Sequence, residues 1–343
     1  MGKQKKIRAG VGELQQYLVH NFNDNTIRFA LHYPGLLDRQ RLSAAMASLV
    51  KGLEVLHSTF HTTTFRAHWT VNEDYEEGDY FRYIQTEEAP MTVAQRLCLE
   101  SVDPFGKTQL RCYLVQDGKS SALVFLVGHL IADGGDSKYL LLKLAENYER
   151  NQAAALKNGS RRGEQVYKGI GLKNYLSLMK NPISKVKTAF PYTEEPAETP
   201  RFVGISLAPE LISAAKAKAR GATVNDLLLT ACYHSFAKHF GSPEQPVSIL
   251  SMMDLRRHCK GGDSAGLSNL SGTMTTVLPR GLGASFDETL RMVAEQTGAA
   301  KKEPLAGLMG LPLLHNVIKS LPIGLLQRLL EGIKEELEHY IIP

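Results

Sequence analysis

One imidazole in the chain stands where acid–base chemistry is possible. Ala122-Leu123-Val124-Phe125-Leu126-Val127 is a near-continuous apolar run, short enough for a strand buried on both faces. His129 follows it directly; Asp133, Gly134 and Gly135 come next, and Asp136 and Ser137 precede a helical pattern from Tyr139 to Ala145. An imidazole titrates near neutral pH, so His129 has the chemistry of a general base, with a satisfied core histidine as the alternative. Asp133 either orients the loop through a buried ion pair or caps the following helix, for which Asp136 or Ser137 is the expected N-cap. Gly134 and Gly135 let the backbone turn tightly and approach a substrate. Ends of interior strands are where α/β proteins commonly keep their chemistry.

Length and periodicity outline the framework around these residues. The 343 residues can hold two lobes with cores of their own, and 43% apolar content is that of an ordinary globular chain. A net charge of +5, from 40 basic against 35 acidic residues, leaves no nucleic-acid footprint. Cys98, Cys112, Cys232 and Cys259 show no CxxC spacing, so reduced, mostly buried thiols and a cytoplasmic location are expected. No apolar segment follows the first residues, so no signal peptide is expected, and no apolar run is long enough to span a bilayer. The eleven histidines lack HExxH spacing and no phosphate-binding glycine motif occurs, so neither a metal nor a tightly bound cofactor is implied. No serine or cysteine sits in a recognisable nucleophile motif.

Ile27, Phe29, Leu31 and Tyr33 alternate as a half-buried strand, and Asp38 caps a helix whose apolar face carries Leu42, Met46, Leu49 and Val50. Eight basic residues against one acid lie between Lys157 and Lys187, and Pro182, Pro191, Pro196 and Pro200 punctuate the segment up to residue 200. This divides the chain into an N-terminal lobe of residues 1–180, a linker of 181–200 and a C-terminal lobe of 201–343. In the second lobe Val203, Ile205 and Leu207 alternate, Pro209 to Arg220 reads as a helix, and Thr223 caps another. Strands from Val247 to Met252 and from Thr273 to Leu278 flank a loop holding Asp254-Leu255-Arg256 and Asn269-Leu270-Ser271-Gly272.

The stretch Gly128-His129-Leu-Ile-Ala-Asp133-Gly134 resembles the His-His-x-x-x-Asp-Gly signature of the chloramphenicol-acetyltransferase-like superfamily, which includes condensation domains, alcohol acyltransferases and wax ester synthases. Val102-Asp-Pro-Phe105, Gly35-Leu-Leu-Asp38, Gly221-Ala-Thr223-Val-Asn225-Asp226 and Asp254-Leu255-Arg256 with Asn269 resemble further family segments, in the family's order over roughly residues 13 to 300. The resemblance implies two α/β lobes, each a mostly antiparallel or mixed sheet with helices, and a cleft between them. It departs in three places. Gly128 replaces the first motif histidine. His57 stands where the family often has an arginine supporting the motif aspartate; a neutral His57 could still donate to Asp133, as a weaker electrostatic partner. The chain also stops short of the family's last strands, which means an abbreviated second lobe or a cut chain.

What the resemblance implies is acyl transfer from a coenzyme A or carrier-protein phosphopantetheine thioester to a small alcohol or amine. His129 would be the base, Asp133 structural and Gly134 part of the catalytic turn, with Arg256, Asn269 and Ser271 lining the substrate site or holding the loop. Arg256 is the best cationic candidate to hold Asp133. The basic run from Lys157 either meets the phosphates of coenzyme A or an acidic carrier, or is a solvated face. The apolar tail from Leu305 to Leu330 is either a packed helix pair or a segment in peripheral contact with a membrane. The rival function is a non-catalytic binding or scaffold protein of the same fold.

Overall fold

In the computed structural model the run at 121–128 is the centre of a mixed four-stranded sheet. The structure describes residues 4–20, 24–157, 159–179, 205, 207–219, 221–240, 244, 246–259 and 266–333. The sheet has the order β2-β7-β6-β5, from β2 (Thr26–Tyr33), β5 (Phe81–Gln85), β6 (Leu110–Gln116) and β7 (Ser121–Gly128). Only β5 and β6 run parallel. Every residue of β7 is buried, because both faces of the sheet are covered. Leu123, Phe125 and Val127 face α2 (Arg39–Gly52) and α5 (Gly134–Arg150), whereas Ala122, Val124 and Leu126 pack on α4 (Pro90–Leu97). A strand with polar alternation would leave half its side chains unsatisfied here.

A second, antiparallel sheet of β1 (Lys6–Arg8), β4 (Ala67–Val71) and β3 (Ser58–Thr62) lies beside the first lobe's core. It places Trp69 and Phe60 against α1 (Val11–Val19). The short α3 (Glu77–Tyr80) leads into β5.

Beyond α6 (Leu172–Leu178) and α7 (Pro209–Lys218), the second lobe is an antiparallel pair, β8 (Val247–Asp254) and β9 (Ser271–Leu278). Helices α8 (Val224–Phe240) and α9 (Phe286–Lys302) cover one face through Leu229, Tyr233 and Val293. The Thr223 cap forms as expected. Asp226 accepts from the Thr223 amide at 2.8 Å and the Thr297 hydroxyl at 2.6 Å, locking the start of α8 to α9.

Helices α10 (Leu311–Ser320) and α11 (Ile323–Gly332) return to the first lobe. Ile318, Ile323 and Leu326 join the core that holds Leu14, Leu18 and Trp69, and the Ile323 amide donates to the Thr64 carbonyl at 2.8 Å. The tail is thus a packed helix pair through one face, with Leu314, Val317, Leu325 and Leu329 exposed on the other. Among the described residues no helix is long and apolar enough to cross a membrane.

Two expectations change. The N-cap of α5 is Asp133, whose carboxylate accepts from the Asp136 amide at 3.0 Å; Asp136 and Ser137 sit inside the first turn, buried. Residues 205 and 207 are not in a strand, and the rest of that expected element lies outside the described residues, as does the expected linker at 181–200. All four cysteines are free, three buried and Cys232 half-buried, in keeping with their apolar surroundings.

Candidate functional site

The end of β7 and the start of α5 meet the loop before β9 at the junction of the lobes. Half-buried His129 is fixed through its backbone: its amide donates to the Asn25 carbonyl at 2.7 Å, and the Asn25 side chain donates to the Gln16 carbonyl at the end of α1. The side chain of Asn269 comes from the other lobe. Its amide nitrogen donates to the carbonyls of His129 at 2.6 Å and Leu130 at 3.1 Å. Those two acceptors set the orientation of the carboxamide, because the reverse would press its oxygen against two carbonyls. The oxygen therefore faces His129 Nδ1 at 3.0 Å and accepts its hydrogen. In the neutral ring this leaves the lone pair on Nε2.

Asp133 is held from both lobes. One carboxylate oxygen caps α5; the other accepts from Arg256 at 2.9 Å, the Leu270 amide at 2.9 Å and the Ser271 hydroxyl at 3.4 Å. The guanidinium also pairs with Asp136 at 2.7 Å and with Asp254 at 3.1 Å, and donates to the Ser268 carbonyl at 3.1 Å. Asp133 and Asp136 are 3% and 6% exposed, so this fork bridges two carboxylates that have almost no water. Burial pushes Asp136 up to about 6, against the pull of Arg256 and the Ser268 amide. For Arg256 burial pulls down, and the carboxylates of Asp133, Asp136 and Asp254 outweigh it to raise the guanidinium above its usual value.

The expected residues His129, Asp133, Arg256, Asn269 and Ser271 are thus brought together. Arg256 and Ser271 reach Asp133, and Asn269 reaches His129. Gly134 faces open space, and its amide donates to no described residue; the tight approach is at Gly135, where a Cβ would lie 3.1 Å from the Arg256 guanidinium. Sequence reasoning missed the ligand role of Asp136 and the close fit of Gly12, where a Cβ would meet the Asn269 carbonyl at 2.9 Å. The Asp133-x-x-Asp136 spacing was the available sign, but capping explains it equally well.

His57 does not reach Asp133. Its Nδ1 lies 2.8 Å from the Asn72 carbonyl and its ring packs on Tyr75, so among the described residues Arg256 supplies the cation. Gly128 fits a filled space, since a Cβ there would meet the Gln109 side chain at 3.2 Å and Val102 at 3.4 Å.

Two cavities share the walls of α1, residues 161–166 and α10. A small one of about 30 Å³ is lined by Gln15, Gln16, Asn269, Ser271 and His315. Burial pulls His315 down to about 4, which keeps it neutral; its Nδ1 lies 2.8 Å from the Tyr167 hydroxyl. The other, about 140 Å³, is a cationic basin lined by Arg8, Arg66, Arg161, Arg162 and Lys319, with Glu164 as its acid. Arg161 pairs with the buried Glu13 and Lys319 with Glu164, while Arg8, Arg66 and Arg162 make no ion pair with a described residue. Of the basic run, Arg161 and Arg162 line this basin; Lys180, Lys185 and Lys187 lie outside the described residues. Among the described residues no cluster of His, Cys, Asp and Glu is fit to hold a metal ion.

The two-lobed α/β architecture is a condensation-domain fold, as superposition on solved structures shows. The first condensation domain of the CDA synthetase superposes with a TM-score of 0.65 at 17% identity, over 86% of this chain and 75% of that one. Polyketide synthase associated protein 5 from Mycobacterium tuberculosis gives 0.58 at 14% identity, over 89% and 76%. The epimerization domain from the third module of tyrocidine synthetase B gives 0.61 at 13%, over 94% and 76%. In sequence, 143 residues, 39% of the chain, are 29% identical to tyrocidine synthase 3 of Brevibacillus parabrevis, and the match spans 2% of that protein's length. No family model matches the chain.

Proposed function

We propose that the protein is an acyltransferase that moves an acyl group from a pantetheine thioester to an alcohol or amine, with His129 as general base. The observation that carries this reading is the Asn269 contact, which puts the proton on Nδ1 and the lone pair on Nε2. Nε2 takes the acceptor's proton as its oxygen or nitrogen attacks the thioester carbonyl, and the tetrahedral intermediate then expels the thiolate, which takes that proton back from the imidazolium. The amide of Gly134, at the positive end of α5, supplies a donor for the oxyanion. Asp133 and Arg256 position the loop and do not exchange protons.

The cationic basin supports a phosphate-bearing donor. Arg8, Arg66 and Arg162, which make no ion pair with a described residue, attract a phosphate, and pantetheine spans ~15 Å from phosphorus to sulfur at about 1.2 Å per bond. Coenzyme A and a phosphopantetheinylated carrier share that chemistry.

A second reading, a non-catalytic protein of this fold, draws on the narrowness of the space beside Asn269, about 30 Å³. Purified wild type, His129→Ala and Asn269→Leu are assayed with acyl-coenzyme A donors, acyl-carrier protein and simple amines and alcohols. Expected is transfer by wild type, a loss of about 10²- to 10⁴-fold for His129→Ala at unchanged folding, and a smaller fall in kcat for Asn269→Leu. Equal turnover by wild type and His129→Ala rejects the base assignment; no turnover by wild type with any donor favours the non-catalytic reading.

A further inference from the structure

Two arginines hold the loop that carries Asn269. Arg256 donates to the Ser268 carbonyl at 3.1 Å while it binds Asp133. Arg161 donates to the carbonyl of the preceding residue, Leu267, whose side chain inserts into the first lobe's core. The Gly266 amide also donates to the Ser160 carbonyl at 3.1 Å, so backbone ties the loop to the segment that brings Arg161. Arg161 is in turn aimed by one carboxylate. Glu13, in the first turn of α1, is 1% exposed; one of its oxygens meets the guanidinium and accepts from the Trp69 indole at 3.1 Å, and the other accepts from the Gly10 amide. Both terminal nitrogens of Arg161 are used in this way, and its Nε is buried without a partner among the described residues. A buried ion pair adds little net stability over apolar packing of the same volume; what a guanidinium fork supplies is direction.

The neighbour of Glu13 bears on the same loop, since a Cβ at Gly12 would lie 2.9 Å from the Asn269 carbonyl. Successive residues of α1 therefore touch the Asn269 backbone directly and, through Arg161, the carbonyl two residues before it. The consequence falls on His129. Its protonated nitrogen is chosen by a 3.0 Å contact with the Asn269 carboxamide, and a hydrogen bond weakens steeply once distance and angle leave their optimum. A loop displaced by ~1 Å would open that contact and let the ring carry its hydrogen on Nε2 instead.

We infer that Arg161, aimed by Glu13, is a positioning residue for the general base: it places the Asn269 loop and, through it, the hydrogen on His129. The kinetic half of the test rests on the acyl-transfer reading above; the ring measurement does not. Long-range proton–nitrogen correlation spectra of the 15N-labelled protein at pH 8 separate protonated from unprotonated ring nitrogens, and the spectrum of His129→Ala assigns the pair. In wild type the two resonances lie far apart with the hydrogen on Nδ1. Arg161→Lys keeps the charge but replaces the fork by a single nitrogen, so the resonances converge as both tautomers populate, and kcat falls by about tenfold or more. Trp69→Phe removes another donor to Glu13; it lowers Tm and leaves the ring resonances in place. Arg8→Gln removes a cation of the basin; it raises KM and leaves them in place too. Glu13→Gln, which keeps the shape but not the charge that aims Arg161, gives the same convergence and carries the test where Arg161→Lys does not fold. Wild-type resonances in the folded Arg161 and Glu13 variants, or equal convergence in Trp69→Phe, overturn the inference and leave the acyl-transfer reading standing. Convergence confined to the Arg161 and Glu13 variants, with no transfer by wild type from any donor, keeps the inference and overturns that reading. A wild-type ring protonated on Nε2 overturns both.

Discussion

Replacing Arg256 by methionine keeps much of the side-chain volume and removes the guanidinium that faces two nearly dry carboxylates. Asp133 and Asp136 are 3% and 6% exposed, and each keeps amide donors afterwards: Asp136 and Leu270 for Asp133, Ser268 for Asp136. Removing one partner of a buried ion pair typically costs ~3–5 kcal/mol, and the remaining amides hold the loss near the lower bound, about 3 kcal/mol at pH 8. The loss must also depend on pH. Burial already pushes Asp136 up to about 6, and the ion pair with Arg256 is the main force opposing a further rise. In the variant Asp136 rises further, so the folded state keeps a proton that the unfolded chain, with carboxylates near 3.9, has released. Stability of the variant therefore recovers as pH falls below ~7, earlier than that of wild type. Each unit of extra rise is worth about 1.4 kcal/mol, so the gap narrows by roughly 1–2 kcal/mol between pH 8 and pH 5. Urea unfolding followed by far-UV circular dichroism at both pH values measures it. A loss below about 1 kcal/mol at pH 8, or an equal loss at both, refutes the clamp as described.

His315 is buried and drawn down to about 4, so between pH 6.5 and 4 the unfolded chain takes a proton that the folded one refuses, and stability falls by roughly 3 kcal/mol across that window. His315→Gln should lack this acid slope, and urea midpoints between pH 7 and pH 4.5 that fall in parallel for both proteins would count against it. Gly128→His, which restores the doubled histidine, should cost ~1–3 kcal/mol through overpacking against Gln109 and Val102 without raising the transfer rate. Thermal melts read this, and an unchanged Tm would show that the space is not filled.

The first lobe was legible because its signals are local. The unbroken apolar run of β7 can only be an interior strand, and the cap and apolar face of α2 predict that helix directly. His129, Asp133 and Arg256 were also readable, because a short motif and a lone cation near a loop name their own candidates. The pairings were not. His57 lies in sequence where an arginine would serve Asp133, yet the Asn72 carbonyl is nearer to its ring nitrogen, and nothing in the chain's periodicity distinguishes those two acceptors. Asp133 caps α5 through one carboxylate oxygen and meets Arg256 and the Leu270 amide through the other, while Asp136 turns inward to Arg256 and the Ser268 amide, and these partners lie more than a hundred residues away. The packing of α10 and α11 on the first lobe was hidden for the same reason: an apolar face shows that a helix is covered, not by what.

Division of the site between the lobes has a chemical consequence. His129 and Asp133 belong to the first lobe; Asn269 and Arg256, the groups that select the imidazole tautomer and neutralise the aspartate, belong to the second. An isolated first lobe would hold His129 Nδ1 without its acceptor and two buried carboxylates without their cation. The ring would then populate both tautomers, and the turn at Gly134 and Gly135 would lose the ion pair that sets its place. In the proposed reaction a competent base therefore exists only while the lobes are docked. The fork of Arg256 makes that docking electrostatically costly to undo, since separating the lobes leaves like charges at Asp133 and Asp136 on one side. The contacts that orient the His129 ring and those that neutralise Asp133 both cross from one lobe to the other.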